Sequence, residues 1–406
     1  MVPMGGFYSP SSTLLISTAF TTAYVSSIYL FPASRVSSGS SRPVAPSTPL
    51  STSSTHASIP PTAIPRDRNC PSVIRARLLA VTIVSSLACL SIRSLLQRYP
   101  PSPVHPPAST LLGLDLPTSA SKLFKLITYP LGLTASLFLG SLYVAFLDGS
   151  LLPGQRGFRW REVRDQFTSL QGIRNYIVGP WTEELVFRSA IISISALGGW
   201  SKKQLVFLTP LYFGIGQSTA VPRESTERLI TRLMGLRSGI AHVHHAYEVY
   251  IGHGRTKQAL VNGVLGSAFQ FAYTTLFGWY ATFLFVRTGA FFSPFSFDEF
   301  HPVFGQAPSQ PRHACTGSIL PPILVHTFCN WWGLPPIVGA LRVYPEKKIR
   351  TFFVYSCLGG FYRRCADSAL FTAAIIASYV LGIATFSYGL FRWTEPRLFG
   401  GSWYWN

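Results

Sequence analysis

Gly179-Pro-Trp-Thr-Glu-Glu-Leu-Val-Phe-Arg-Ser189 decides how this chain is read. It sets Glu183, Glu184 and Arg188 inside an apolar run that continues to about Gly198. Ionisable groups at membrane depth cost about 2.5–3.5 kcal/mol each even on the lenient insertion scales. Three of them within six residues call for a function or for close pairing. In a helix, Glu184 and Arg188 lie four apart on one face, in the favourable acid-before-base order. Glu183 falls outside that pair, and a carboxylate in a poorly hydrated site is a credible general base. The plainer alternative is a helix N-terminus with acids in its first turn and one ion pair. On this stretch alone the two readings stand level.

The composition favours a membrane. Of 406 residues, 48% are hydrophobic and 12% charged, against about 25% charged in soluble domains. Several apolar runs reach the roughly 20 residues that cross a bilayer as a helix. The predicted fold is all-α, a polytopic membrane helix bundle with about eight transmembrane helices. The net charge of +19 sits mostly in loops, where topology signalling and anionic lipid explain it. No basic stripe interleaved with aromatics occurs, so no nucleic acid is expected. Six scattered cysteines without Cys-x-x-Cys suggest neither a disulfide framework nor a zinc finger. Residues 13–31 read as a first span rather than a cleavable signal, because the run is long and lacks a basic start.

Further spans are expected at about 73–92, 123–147, 261–286, 318–341 and 368–391. The Glu183 helix and a short apolar stretch at 205–215 complete the set. Residues 33–70, rich in Ser, Thr and Pro, cannot bury a core and read as a disordered loop. Residues 149–175 carry Arg156, Arg159, Arg161 and Arg164 around Trp160 and read as an interfacial segment. The expected organisation is 1–122 for the N-terminal spans, 123–392 for a catalytic membrane domain and 393–406 for a tail. With an N-terminus in the lumen, the cytosolic loops hold 23 Lys and Arg against 10 on the other side, the orientation favoured by the positive-inside rule.

Three separate segments carry candidate chemistry. The first is Glu183, Glu184 and Arg188. The second is Ala241-His-Val-His-His-Ala-Tyr-Glu248, with His242, His245 and Glu248. The third is His326 with Asn330, four apart and on one helical face. A lone His on an apolar helix is more often a satisfied core residue than a catalyst. Together, however, the segments supply a base, a second proton carrier and donors suited to an oxyanion. Neither Gly-x-Ser-x-Gly nor His-Glu-x-x-His occurs, which argues against a serine elbow and a zincin.

In this order Glu-Glu-x-x-x-Arg, Ala-His-x-His-His and His-Thr-Phe-Cys-Asn-Trp-Trp-Gly-Leu-Pro335 resemble the type II CAAX prenyl endopeptidases. These are the Ras-converting enzymes of the glutamyl intramembrane protease and abortive-infection superfamily. The resemblance covers roughly 125–392. It implies an enzyme of the endoplasmic reticulum membrane whose site faces the cytosol. Its substrates would be prenylated CaaX proteins such as Ras-like small GTPases, met from membrane lipid, and it would remove their last three residues. By the same resemblance Glu183, assisted by His242, activates a water, and His326 and Asn330 stabilise the oxyanion. Glu184 and Arg188 shape the site, and His245 and Glu248 surround it. No cofactor is required. A Glu/His/His set also binds zinc, so a zinc-dependent variant is one alternative; a catalytically impaired scaffold of the same fold is another. A proton-relay transporter is disfavoured by the lack of internal repeats.

The chain departs from the family pattern in one place. The residue four before His242 is Ser238, where the family carries Phe. Joining Phe213-Gly-Ile215 to Ala241-His242 would restore the motif, and joining Arg287-Thr-Gly289 to Ser318 would restore a continuous apolar approach to His326. Residues 216–240 and 290–317 therefore read as translated introns, with genuine loop insertions as the alternative.

Overall fold

The computed structural model describes residues 8–30, 69–98, 107–115, 117, 119–217, 256–288, 318–333, 368–399 and 404. Among these there is no strand. The long helices are α1 (Pro10–Leu30) and α2 (Pro71–Gln97). A short α3 (Ala108–Leu111) leads to α4 (Ala120–Leu137), α5 (Leu139–Leu147) and the polar α6 (Trp160–Thr168). A composite helix, α7, spans 170–197. It is followed by α8 (Lys202–Gln217), α9 (Lys257–Arg287), α10 (Leu320–Trp332) and α11 (Ser368–Arg392). Each apolar stretch singled out in the sequence is helical where it is described. The 318–341 stretch is helical only to Trp332, where Gly333 at φ 63° turns the chain; 334–341 lie outside the described residues, as does the 33–68 part of the Ser/Thr/Pro-rich loop.

By length and hydropathy, α2 and the Thr372–Arg392 part of α11 are each able to cross a bilayer. Their outward faces suit lipid: Leu79 is 57% exposed and Val380 61%. The expected single span at 123–147 is instead two helices, α4 and α5, bent by 76°. Phe138 leaves helical geometry at φ −90°, ψ 10°. Two residues earlier Ser136 Oγ donates to the Leu133 carbonyl at 2.7 Å, a local bond that competes with the helical ladder and favours a kink. Beyond the bend α5 packs against α11 through Gly140, where a Cβ would lie 2.3 Å from the Tyr379 ring.

The centre of the bundle is α7. Every residue from Val186 to Leu197 is buried, as expected of a helix that faces protein on all sides. Helices α1, α2, α8, α9 and α10 pack around it. Its polar side chains find partners on α3, whose last carbonyls have no helical donor. Ser193 Oγ donates to Leu111 O at 3.0 Å and Ser189 Oγ to Leu112 O at 2.6 Å. Tyr404 Oη donates to Leu111 O at 2.9 Å, which ties the chain's C-terminal end to the same turn.

Substituting Gly140→Val should push α5 off α11 and cost about 1–3 kcal/mol, the usual range for overpacking. Thermal unfolding in detergent should show the loss, and Tyr379→Ala in the same chain should recover part of it.

Candidate active site

The sequence reading treats the Glu183 helix as one regular α-helix, and the structure departs from this in an informative way. Two π-helical segments, Ile173–Val178 and Leu185–Ala190, flank the α-helical turn Gly179–Glu184. Single π turns inside α-helices are frequent at functional sites. The covalent cause is Pro180, which has no N–H to give to the Tyr176 carbonyl one turn back. Just before it, the Gly179 N–H bonds to Arg174 O, five residues back, rather than to Asn175 O. A Cβ on Gly179 would lie 2.5 Å from Arg174 O, so only glycine permits that close approach.

Helix α10 takes up the displaced carbonyls. Thr327 Oγ1 donates to Tyr176 O at 2.8 Å, and Asn330 Nδ2 donates to Asn175 O at 2.9 Å. Between them His326 points its ring at the two carboxylates of α7. Its Nδ1 lies 2.7 Å from Glu184 Oε1, and its Nε2 lies 3.7 Å from Glu183 Oε2. Nδ1 therefore carries a proton donated to Glu184, and Nε2 faces the site. Glu184 Oε1 also accepts from Arg188 Nη1 at 3.1 Å, with both side chains fully buried. The acid-before-base pair expected from the spacing is thus present. Glu183 and Glu184 lie midway along a helical run and not at its N-terminus, which removes the plainer reading of the motif.

Phe277 and Gly278 of α9 cover the cluster. The Phe277 ring lies 4.9 Å from the His326 ring and 5.6 Å below the Arg188 guanidinium. Gly278 lets α9 approach α8, since a Cβ there would meet Pro210 at 2.8 Å, and that Cβ would lie in ordinary contact range of Arg188 Nη2. From the other side, Tyr24 of α1 packs edge-on against Phe187, and its hydroxyl lies 3.0 Å from Thr182 Oγ1. Two cavities meet at this wall. One of about 770 Å³ is lined by residues of α1, α2, α7, α9 and α10; one of about 230 Å³ is lined mainly by α9 and α10. Glu183 and Asn330 line both.

The structure thus brings together Glu183, Glu184, Arg188, His326 and Asn330. It shows His326 against Glu183, a contact the sequence reading does not foresee, since it matches Glu183 with His242. His242, His245 and Glu248 lie outside the described residues, as do 218–240 and 290–317. Within 216–240, Gly216 and Gln217 continue α8. Phe277, Gly278, Thr327 and Tyr24 are missing from the sequence reading. Only Thr327, a hydroxyl directly beside His326, carries a local signal.

A buried cluster of acids, imidazole and guanidinium opening on two cavities, inside an all-helical bundle with helices able to cross a bilayer, defines a class: a helical membrane protein with a site of the kind an enzyme carries. The comparisons make that particular. Residues 165–297 match the family model described as "Type II CAAX prenyl endopeptidase Rce1-like". The "Probable CAAX prenyl protease 2" of Schizosaccharomyces pombe is 27% identical over 345 residues, 85% of this chain and 89% of that protein. The "CAAX prenyl protease 2" of Homo sapiens is 29% identical over 347 residues, covering 83% and 76%. That of Caenorhabditis elegans is 26% identical over 284 residues, covering 70% and 80%. No solved structure matches the chain. The chain is a membrane protease similar to the type II CAAX prenyl endopeptidases over most of its length.

Removing one partner of a buried ion pair strands the other charge, at a cost of about 3–5 kcal/mol. Arg188→Met and Glu184→Gln should each destabilise the protein by about that much, and the double variant by clearly less than the sum. A double-mutant cycle from unfolding in detergent checks this; additive losses would mean that the pair is not coupled.

Proposed function

We propose that this protein hydrolyses the peptide bond after the prenyl-cysteine of CaaX proteins and releases the C-terminal tripeptide. The observation that carries the reading is the position of Glu183 and Asn330 on the shared wall of two cavities, with His326 Nε2 against Glu183. A water between Glu183 and the scissile carbonyl gives its proton to the carboxylate as its oxygen attacks the carbon. The negative charge that develops on the carbonyl oxygen is met by the Asn330 amide and by His326 Nε2, which donates when the ring carries both protons. Glu184 holds Nδ1 and so aims the ring, while Arg188 balances the charge of Glu184. The proton on Glu183 then passes to the leaving amine as the C–N bond breaks. His242 acts beside Glu183 as a second proton carrier, with His245 and Glu248 around it.

Substrates of this reading are prenylated CaaX proteins, Ras-like small GTPases among them, reached from the lipid of the endoplasmic reticulum membrane. The site faces the cytosol. Support for the orientation comes from the larger cavity, whose lining residues Ile28, Arg77, Arg174 and Asn330 sit toward the helix ends that adjoin the Lys- and Arg-rich loops. The reaction uses no metal in this reading. In a purified preparation chelators should leave cleavage largely intact, whereas loss on chelation and recovery with zinc alone would favour the zinc-dependent alternative.

The direct test is cleavage of a farnesylated CaaX peptide in membranes. Glu183→Gln should lower the rate by about 100- to 10,000-fold at unchanged protein level, and His242→Ala likewise. Asn330→Ala should lower turnover by about 100- to 1,000-fold with little change in binding. Activity above a tenth of wild type in Glu183→Gln rejects the base. Weakened binding with normal turnover in Asn330→Ala makes that residue a substrate clamp instead.

A further inference from the structure

The larger cavity holds two guanidinium groups that the hydrolytic chemistry does not use. Arg77 comes from the first turns of α2, and Arg174 from the π segment ahead of Gly179. Both are half-buried. Arg174 Nε donates to Asn175 Oδ1 at 2.9 Å and Nη1 to Asn69 Oδ1 at 3.3 Å, bonds that fix the plane of its guanidinium. The same walls include Val25, Leu78, Val81 and Phe187. Among the described residues Glu183 is the one carboxylate lining this cavity, on a wall shared with both guanidinium groups. Two guanidinium groups on a wall of mixed polar and apolar character suit an anionic ligand with a planar, forked acceptor, which is a carboxylate.

We infer that Arg77 and Arg174 hold the free α-carboxylate of the substrate's last residue, so that the enzyme cuts at a set distance from the chain end. The inference rests on the CaaX endopeptidase reading. Three extended residues span about 10 Å, and the cavity of about 770 Å³ lies within the roughly 300–1,000 Å³ of ordinary ligand pockets. A chain end that binds in this way places the third peptide bond from the terminus at Glu183. It also excludes internal peptide segments, which carry no carboxylate at that point and would leave both arginines facing backbone.

The test compares a farnesylated CaaX peptide ending in a free acid with the same peptide ending in a carboxamide, each assayed in vesicles of neutral lipid. Wild-type enzyme should cleave the acid with a KM about 10- to 100-fold lower than the amide, the range of a charge-assisted bond. R77Q/R174Q should raise the KM for the acid to that for the amide, leave the amide unchanged and keep kcat within a few-fold. R174K should recover part of the preference. Equal KM for acid and amide in wild type overturns the inference, and this comparison needs no variant to fold. An equal loss on both substrates in the variants also overturns it and makes the arginines structural. Equal KM for acid and amide in neutral vesicles, with R77Q/R174Q losing activity on both peptides only when anionic lipid is present, overturns the inference and assigns the arginines to headgroups. Wild-type enzyme that cleaves neither peptide fails the underlying reading, and the inference falls with it.

Discussion

Pro180 is the constraint on which the site depends. A helix interior tolerates proline badly, because the ring removes one donor and crowds the preceding turn. Here the chain absorbs it by widening into a π segment, with the Gly179 N–H reaching back five residues to Arg174 O. The Asn175 and Tyr176 carbonyls then meet side-chain donors from α10. A shielded carbonyl has to be paired, and Thr327 meets that demand at the part-buried Tyr176 carbonyl, while Asn330 adds a more exposed bond at Asn175. Meeting it fixes the register of α10 against α7. That register leaves His326, one residue before Thr327, facing the two carboxylates that follow Pro180.

Charge makes the arrangement costly to disturb. Glu184 and Arg188 are almost wholly shielded from solvent, and His326 is 6% exposed. Such groups persist only as partners, since desolvation of an isolated ion outweighs what packing returns. The chain Arg188–Glu184–His326 spreads that demand over two helices, and Phe277 adds its ring face to the guanidinium and the imidazole together. Glu183 is set apart in burial as well as in position. Its side chain is 20% exposed, while that of Glu184 is sealed. Two adjacent acids thus sit in different surroundings: Glu184 holds an imidazole and a guanidinium, and Glu183 opens on the two cavities.

What the sequence discloses follows from where physics leaves a trace in it. An ion pair at i, i+4 on an apolar helix leaves a plain trace, and Glu184–Arg188 is found as expected. His326 and Asn330 leave one too, as polar residues one turn apart in an apolar run. The bend at Phe138 leaves little, because a kink set by Ser136 and by contact with Phe328 depends on tertiary packing. The π segments are likewise hidden from a reading with a fixed period of 3.6 residues. Gly179-Pro180 marks the place, but only the carbonyls taken by α10 show what the break is for. Phe277 and Gly278 look like any other part of a membrane helix, since a ring against a guanidinium and a close approach to Pro210 are made by the fold.

The N-terminal helices take this furthest. Residues 1–122 contribute nothing to the motifs, and the family match begins at residue 165. Yet Tyr24, Val81 and Ile92 belong to the same buried cluster as Val186 and Phe187, and α1 and α2 form one wall of the larger cavity. The buried faces of α1 and α2 carry Thr13, Thr21, Ser27 and Ser85, whose hydroxyls bond back to carbonyls of their own helix, so each sequence still reads as a simple span. Tyr24 and Arg77 join them on the cavity side. Chemistry needs particular residue types at particular spacings and can be read from a chain. A cavity wall needs only shape and a few charges, and these become visible when α1 and α2 are seen against α7.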